Sequence, residues 1–242
     1  RHSARLEFDV EAIGGKGNKV FTVNYKDICA VVSRSEEMRY EARRIFLTAH
    51  QLVLEHIMKQ FTVLPIRFST ISSTFEESKI VRILEKEYDK FDELLTEMDG
   101  KKELGLKVLA LEQPIYNLIL SKYDDIRIFK EKLAKLDPEK AHYQLMKIGE
   151  MVEKALEKEK EFLKNQILNE VNPLASKSKI NDNYGERMVL NAAFLIKNES
   201  EPDFDKAIIA LDQKYGELLT FKYVGTLPPY NFVNLIVNIH ED

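Results

Sequence analysis

The sequence predicts an α+β protein in two domains, and three observations carry that reading. The chain has 242 residues, where one domain usually takes ~100 to 200. Short β-branched runs alternate with stretches of helical periodicity in both halves, the order expected when helices cover one face of a sheet. At Asp99-Gly100 a charged helical stretch gives way, after a turn pair, to a new strand-like run. This predicts domains at 1–99 and 100–242.

Composition narrows the class. Hydrophobic residues make up 44% of the chain and charged residues 31%, enough apolar side chains for packed cores and too many for global disorder. The net charge of -4 comes from 36 basic and 40 acidic residues mixed along the whole length. No basic footprint for a nucleic acid and no polybasic membrane patch is expected from such mixing. Every apolar run is interrupted long before the ~18 residues that a spanning helix needs, and no signal-peptide pattern opens the chain. A cytoplasmic location is therefore expected. The chain opens Arg1-His2-Ser3 without an initiator Met, so its natural start is expected either upstream or altered at these residues.

In the first half, Val20-Phe21-Thr22-Val23 and Ile28 to Val32 read as neighbouring strands, with the turn-prone Gly14-Gly15-Lys16-Gly17-Asn18 ahead of them. From Arg39 to Gln60, Ala42, Ile45, Phe46, Ala49, Leu52, Val53, His56 and Ile57 recur at spacings of three and four. That spacing predicts a helix with one apolar face. Phe61-Thr62-Val63-Leu64-Pro65-Ile66-Arg67-Phe68 is rich in β-formers, and Pro65, lacking an amide hydrogen, places it at a sheet edge or bulge. Ser73-Thr74-Phe75-Glu76-Glu77 offers a capped start for a helix running to about Met98.

The second half opens with a strand over Leu104 to Leu111, and Pro114 suits the first turn of the helix that follows. Ile148, Val152, Ala155, Leu156, Phe162, Leu163 and Ile167 mark the apolar stripe of a long helix. Asn172-Pro173 and Ser176-Lys177-Ser178-Lys179 break it. Met188 to Ile196 reads as a central strand, Phe204 to Leu211 as a helix ended by Gly216, and Leu218 to Val224 as a further strand.

Residues that carry chemistry form no recognisable constellation. Of His2, His50, His56, His142 and His240, no two stand at the i,i+4 spacing of a helical metal pair. His50 and His56 point about 120° apart on an ideal helix. The Gly14 to Gly17 cluster lacks the order of a phosphate loop. Cys29, the single cysteine, sits in a strand-like run with no histidine nearby in sequence, which suits packing better than nucleophilic chemistry. No catalytic residue, metal site or cofactor is expected.

Two segments are too apolar for ordinary loops. One is Phe61 to Phe68, where Arg67 stands among apolar neighbours; the other is Gly225-Thr226-Leu227-Pro228-Pro229-Tyr230-Asn231-Phe232. The prolines lock an extended backbone that holds Tyr230 and Phe232 at fixed offsets, either closing a core or offering a partner a ledge. Arg67 is either an exposed anchor or the partner of a local carboxylate. The candidate partner-binding residues are Arg67, Leu227, Tyr230 and Phe232.

These segments carry a resemblance. Leu47-Thr48-Ala49-His50-Gln51 through Met58, running into Phe61 to Thr70, resembles the hallmark of the GvpF/GvpL family of gas vesicle proteins, a helix with a leading His followed by T-V-L-P-x-R-F-G-T. Ser69 stands where the family has Gly, so a positive φ is not assumed there. Gly100-Lys101-Lys102-Glu103 resembles the family's G-x-x-E segment, Met188 to Leu195 its N-x-A-F-L strand, and Gly225 to Phe232 its terminal G-P-W-P-P-Y-S-F, with Thr226-Leu227 replacing Pro-Trp. The family's opening strand, with a Tyr near the initiator Met, is not visible.

The resemblance implies two α+β domains, the C-terminal one a modified ferredoxin-like fold with a helical excursion. It also implies a non-enzymatic accessory or minor structural component of the gas vesicle, located in the vesicle or cytoplasm. Its implied partners are the major shell protein GvpA and other accessory vesicle proteins. The rival readings are an enzyme whose site converges from distant residues such as His50, Arg67 and a carboxylate, and an adaptor or signalling module.

Overall fold

The computed structural model describes residues 1–242 apart from 14, 16–17, 73–75, 136–141 and 236–242. Contacts divide the chain into two compact units, Arg1–Glu103 together with Thr226–Asp242, and Leu104–Gly225. The sequence places 226–242 in the C-terminal domain; by contacts the described part of that segment, 226–235, goes with the first unit.

The first unit opens with β1 (Glu7–Phe8), β2 (Val20–Tyr25) and β3 (Ile28–Ser33), an antiparallel sheet in that order. Tyr25 pairs with Ile28 across a tight turn in which Lys26 takes a φ of 50°. The two expected strands are therefore neighbours. Gly14, Lys16 and Gly17 of the expected turn lie outside the described residues.

Three helices follow: α1 (Arg44–Met58), α2 (Glu77–Lys86) and α3 (Tyr88–Met98). The expected helix from Ser73 to Met98 is in fact two, broken at Glu87, whose ψ of 14° departs from helical geometry. The predicted cap at Ser73-Thr74-Phe75 lies outside the described residues, and Glu76 occupies the N-cap position without a side-chain cap. Past α3, Gly100 takes a φ of 66°, a left-handed turn that glycine adopts without steric cost.

The predicted apolar face of α1 needs correction. Ile57 is buried, and Phe46, His50 and Val53 are half-buried, but Ile45 is 71% and Leu52 52% exposed. The helix carries two apolar stripes roughly 100° apart, and the first unit covers only one.

Phe61 to Phe68 is corrected as well. It forms no strand. Pro65 is buried rather than placed at a sheet edge, and Leu64 and Ile66 are half-buried. With no amide hydrogen at Pro65 to continue a ladder, side-chain hydrogen bonds hold the segment instead. The buried centre of this unit is small: Ile28, Leu84 and Phe91, with Leu64, Leu95 and Leu235 packed around them.

The second unit is built on β4 (Lys101–Ala110), which begins in the first unit and runs into the second, followed by α4 (Glu112–Lys122), α5 (Asp124–Leu133) and α6 (His142–Val171). Then come β5 (Lys177–Ile180), β6 (Met188–Lys197), α7 (Glu201–Tyr215) and β7 (Leu219–Leu227), the strands ordered β5-β6-β4-β7. β6 is an interior strand, buried from Met188 to Ile196, as a nearly continuous apolar run requires. Pro114 lies in the first turn of α4, and Gly216 caps α7.

Two readings in this unit change. Ser176 to Lys179 does more than break the helix: Lys177 to Ile180 form the edge strand β5, antiparallel to β6, and its lysines suit an exposed edge. Phe162, assigned to the buried stripe of α6, is 52% exposed, while Ala155, Leu156, Leu163 and Ile167 are buried. The core joins β4, β6, α4, α6 and α7, with Phe194 and Phe204 at 5.2 Å between ring centroids. Buried Glu159 is satisfied by Lys122 Nζ and the Tyr123 hydroxyl.

Among the described residues no helix is long and apolar enough to cross a membrane, and no cluster of His, Cys, Asp and Glu is arranged to hold a metal ion.

Candidate partner-binding surface

β7 runs on to Leu227, taking in the first residues of the proline segment. Beyond it the chain turns tightly: the Tyr230 amide donates to the Pro228 carbonyl at 2.7 Å, and the Phe232 and Val233 amides to the Pro229 carbonyl at 3.1 and 3.0 Å. Proline lacks a donor but keeps its acceptor, so the pair can anchor a turn. Pro228, Pro229 and Val233 are buried, Leu227 and Phe232 half-buried, and Tyr230 points outward, 42% exposed. The segment thus closes a core on one side and offers a ledge on the other.

Its polar anchors are specific. The Tyr230 hydroxyl donates to Gln51 Oε1 at 3.0 Å. The Asn231 backbone N–H and Nδ2 donate to the two carboxylate oxygens of Glu103 at 2.8 and 2.7 Å. Glu103 is 2% exposed, and a carboxylate so buried needs donors of this kind. Burial, with the charges of Glu55 and Glu103, pushes the Tyr230 hydroxyl up to about 12.

The other segment meets the same helix. The His50 ring hydrogen-bonds the Ile66 backbone and packs edge-on against Phe68, centroids 5.7 Å apart. Thr62 Oγ1 donates to Asp99 Oδ1 at 2.7 Å, and Thr70 Oγ1 to the Arg67 carbonyl at 2.6 Å. Consecutive residues of α1, His50 and Gln51, therefore hold the two segments singled out in the sequence. Arg67 is exposed and makes no ion pair among the described residues. No hydrogen bond or ring contact joins it to Leu227, Tyr230 or Phe232 among those residues.

Ser69 departs from expectation. It takes a φ of 61°, so the left-handed conformation is used even though the residue is not glycine. The Ser69 hydroxyl accepts the Tyr40 amide at 2.8 Å, a bond that offsets part of the strain.

Within the first unit lies a cavity of about 490 Å³, lined mainly by apolar side chains of the sheet and of α1 to α3, with Cys29, His50 and Leu235 in its wall. Burial pushes the Cys29 thiol up, the wrong direction for a thiolate nucleophile. Burial holds His50 below the usual imidazole range, and its Nε2 has no hydrogen-bond partner. Glu77, also in the wall, is held low by its hydrogen bonds to Arg5 at 2.7 and 3.1 Å. These groups are not arranged as nucleophile, base and orienting acid.

Sequence reasoning did not single out Gln51 or Glu103 as site residues. Both lie inside quoted motifs, Gln51 after the leading His and Glu103 as the last residue of the G-x-x-E segment.

Fold and site together define a mixed helix-and-sheet protein whose distinctive residues tie chain segments together and present apolar side chains outward. The chain belongs to the family described as gas vesicle synthesis protein GvpL/GvpF, which it matches over residues 2–234, and is a gas vesicle-associated protein. It is 28% identical over 213 residues to gas vesicle protein F of Dolichospermum flosaquae, covering 86% of this chain and 85% of that relative. It is 25% identical over 240 residues to gas vesicle protein F1 of Halobacterium salinarum, covering 98% and 91%. The crystal structure of GvpF from Anabaena sp. PCC7120 superposes with a TM-score of 0.81 at 24% identity, over 96% of this chain and 93% of that one. That of GvpF from Microcystis aeruginosa gives 0.75 at 24% identity, over 93% and 92%. The α+β fold is shared with both.

Proposed function

We propose that this protein is a non-enzymatic accessory or minor structural component that binds the major shell protein GvpA during gas vesicle assembly. The observation that carries the reading is the outward apolar surface of the first unit: Ile45 and Leu52 on α1, and Tyr230, whose hydroxyl is hydrogen-bonded to Gln51 of the same helix. Exposed apolar groups near one another mark interaction sites. A shell that encloses gas needs subunits with apolar area that would aggregate in water unless covered before assembly. Arg67, Leu227, Tyr230 and Phe232 are the proposed contacts, Arg67 and Tyr230 as exposed anchors and Leu227 and Phe232 as half-buried members of the segment that carries Tyr230.

The two units are proposed to be folding domains. The second is proposed to be a modified ferredoxin-like fold in which α5 and α6 form the excursion, a reading supported by the strand order β5-β6-β4-β7.

The test is capture of purified GvpA. A Tyr230→Ala, Phe232→Ala double variant that remains folded is expected to bind more weakly by ~1 to 3 kcal/mol, the range of aromatic anchors. Binding equal to that of the parent would move the contact off this segment.

A further inference from the structure

We propose that the cavity of the first unit is a binding site for one small, uncharged, hydrocarbon-like molecule, which completes a core that the described side chains leave open. The cavity, of about 490 Å³, is walled by side chains such as Ile57, Leu64, Ile80, Leu84 and Phe91, and the buried cluster beside it consists of Ile28, Leu84 and Phe91. In the second unit the space between sheet and helices is filled by a continuous buried cluster drawn from β4, β6, α4, α6 and α7. Folded interiors are packed to crystal density, with few voids larger than a water molecule, so a hole of this size calls for an occupant. An apolar cavity of ~150 Å³ holds one benzene, and by that measure this one takes a molecule of up to about 20 carbons.

The wall selects the chemistry of the ligand. Its hydroxyl groups are engaged within the unit: Thr22 donates to Asn24, Ser35 bonds the Tyr40 hydroxyl, Thr62 donates to Asp99, Ser69 accepts the Tyr40 amide and Thr70 donates to the Arg67 carbonyl. His50 Nε2 has no partner among the described residues, but protein atoms close it off. Each buried water needs two to four polar partners, and such a wall has few to give. Charges in the wall are paired or turned outward. Glu77 is paired with Arg5 and Arg1 with Asp92, while Arg34, Glu36, Glu37 and Arg67 are exposed and of both signs. An ionised ligand would lose its hydration here without gaining a counter-charge, so the occupant that fits is an uncharged hydrocarbon.

Pyrene, an uncharged hydrocarbon, is titrated into the full chain while its fluorescence and the thermal midpoint of the protein are followed. One-to-one, saturable binding in the micromolar range is expected, with a midpoint that rises as pyrene is added. Pyrenesulfonate, the same ring system with a charge, is expected to bind about 10-fold more weakly. Ala30 lines the cavity from β3 and packs on the buried cluster, so Ala30→Phe places a ring in the space. That variant is expected to bind pyrene about 10-fold more weakly while its ligand-free midpoint stays at or above that of the parent. Val53→Phe fills the cavity from α1 and gives the same reading where the β3 variant does not fold. Pyrene bound equally well by the filled variants would place it elsewhere and overturn the proposal. So would a parent that shows no saturable binding, or pyrenesulfonate bound as tightly as pyrene. Binding that emerges only once Ile236 to Asp242 are removed would overturn it too, since the chain's own terminus would then be the occupant. No shell protein is present in this measurement, so its outcome is separate from that of the GvpA-binding test.

Discussion

Ser69 adopts a left-handed backbone while its hydroxyl accepts the amide hydrogen of Tyr40 at 2.8 Å. Two opposed effects therefore meet at one residue. A left-handed serine is strained by ~1 kcal/mol or more, and the hydrogen bond returns ~0.5 to 1.5 kcal/mol. Ser69→Gly should leave stability within about 0.5 kcal/mol of the parent, relieving strain as it loses the bond. Ser69→Ala keeps the strain, loses the bond, and should cost ~1 kcal/mol. Urea denaturation of the two variants checks the order; an alanine variant as stable as the parent would show that the hydroxyl contributes nothing, and one as stable as the glycine variant that the left-handed backbone costs nothing.

His50 predicts a pH dependence. Burial lowers its folded-state value below the unfolded one, outweighing the Ile66 backbone bond, which acts the other way. The folded state thus binds fewer protons than the unfolded state between those two values. Stability should fall as pH drops through ~6.5 toward the folded value, and this loss should level off below it. Denaturation midpoints from pH 8 to 5 for the parent and His50→Gln should converge as pH falls. A constant difference would assign the acid sensitivity to other groups.

Gly225 marks a close approach between strands. A Cβ built there would stand 2.2 Å from Leu104 Cδ2, and Leu104 is fully buried. Gly225→Ala should destabilise by ~1 to 3 kcal/mol through overpacking. Adding Leu104→Ala should make the double variant less unstable than the sum of the two single changes, since the shorter side chain frees the space. Strict additivity in thermal unfolding would show that the clash relaxes elsewhere.

Arg67 is exposed and makes no ion pair among the described residues, so Arg67→Ala should change folding stability by no more than ~0.5 kcal/mol. Calorimetry of the variant tests this. A large loss would mean that its stem, rather than its charge, packs against the segment around Pro65.

The strands and helices with strong periodicity were legible in the sequence. β2, β3, β4, β6 and α7 fall close to their predicted spans because a long apolar run, or a run of spacing three and four, has few other ways to bury itself. The segment at Pro65 was not legible in this way. Its β-formers suggested an edge strand, but its bonds come from His50, Thr62 and Thr70, whose partners are remote or depend on the turn. The exposed stripe of α1 was hidden for a related reason: Ile45 and Leu52 match the helical period as well as Phe46 and Val53 do, and period alone does not say which stripe faces inward.

The sequence by itself determined the α+β class, the family resemblance and the four motif segments, because these rest on local periodicity, turn chemistry and residue identity along one chain. Only the tertiary structure decided that the motifs meet: Glu103 with Asn231, Gln51 with Tyr230, and His50 with Ile66. The physical reason is that a buried carboxylate or a half-buried ring takes its partners from whatever the fold brings within hydrogen-bond reach. Glu103 and Asn231 are 128 positions apart, and nothing in the spacing of either segment specifies the other.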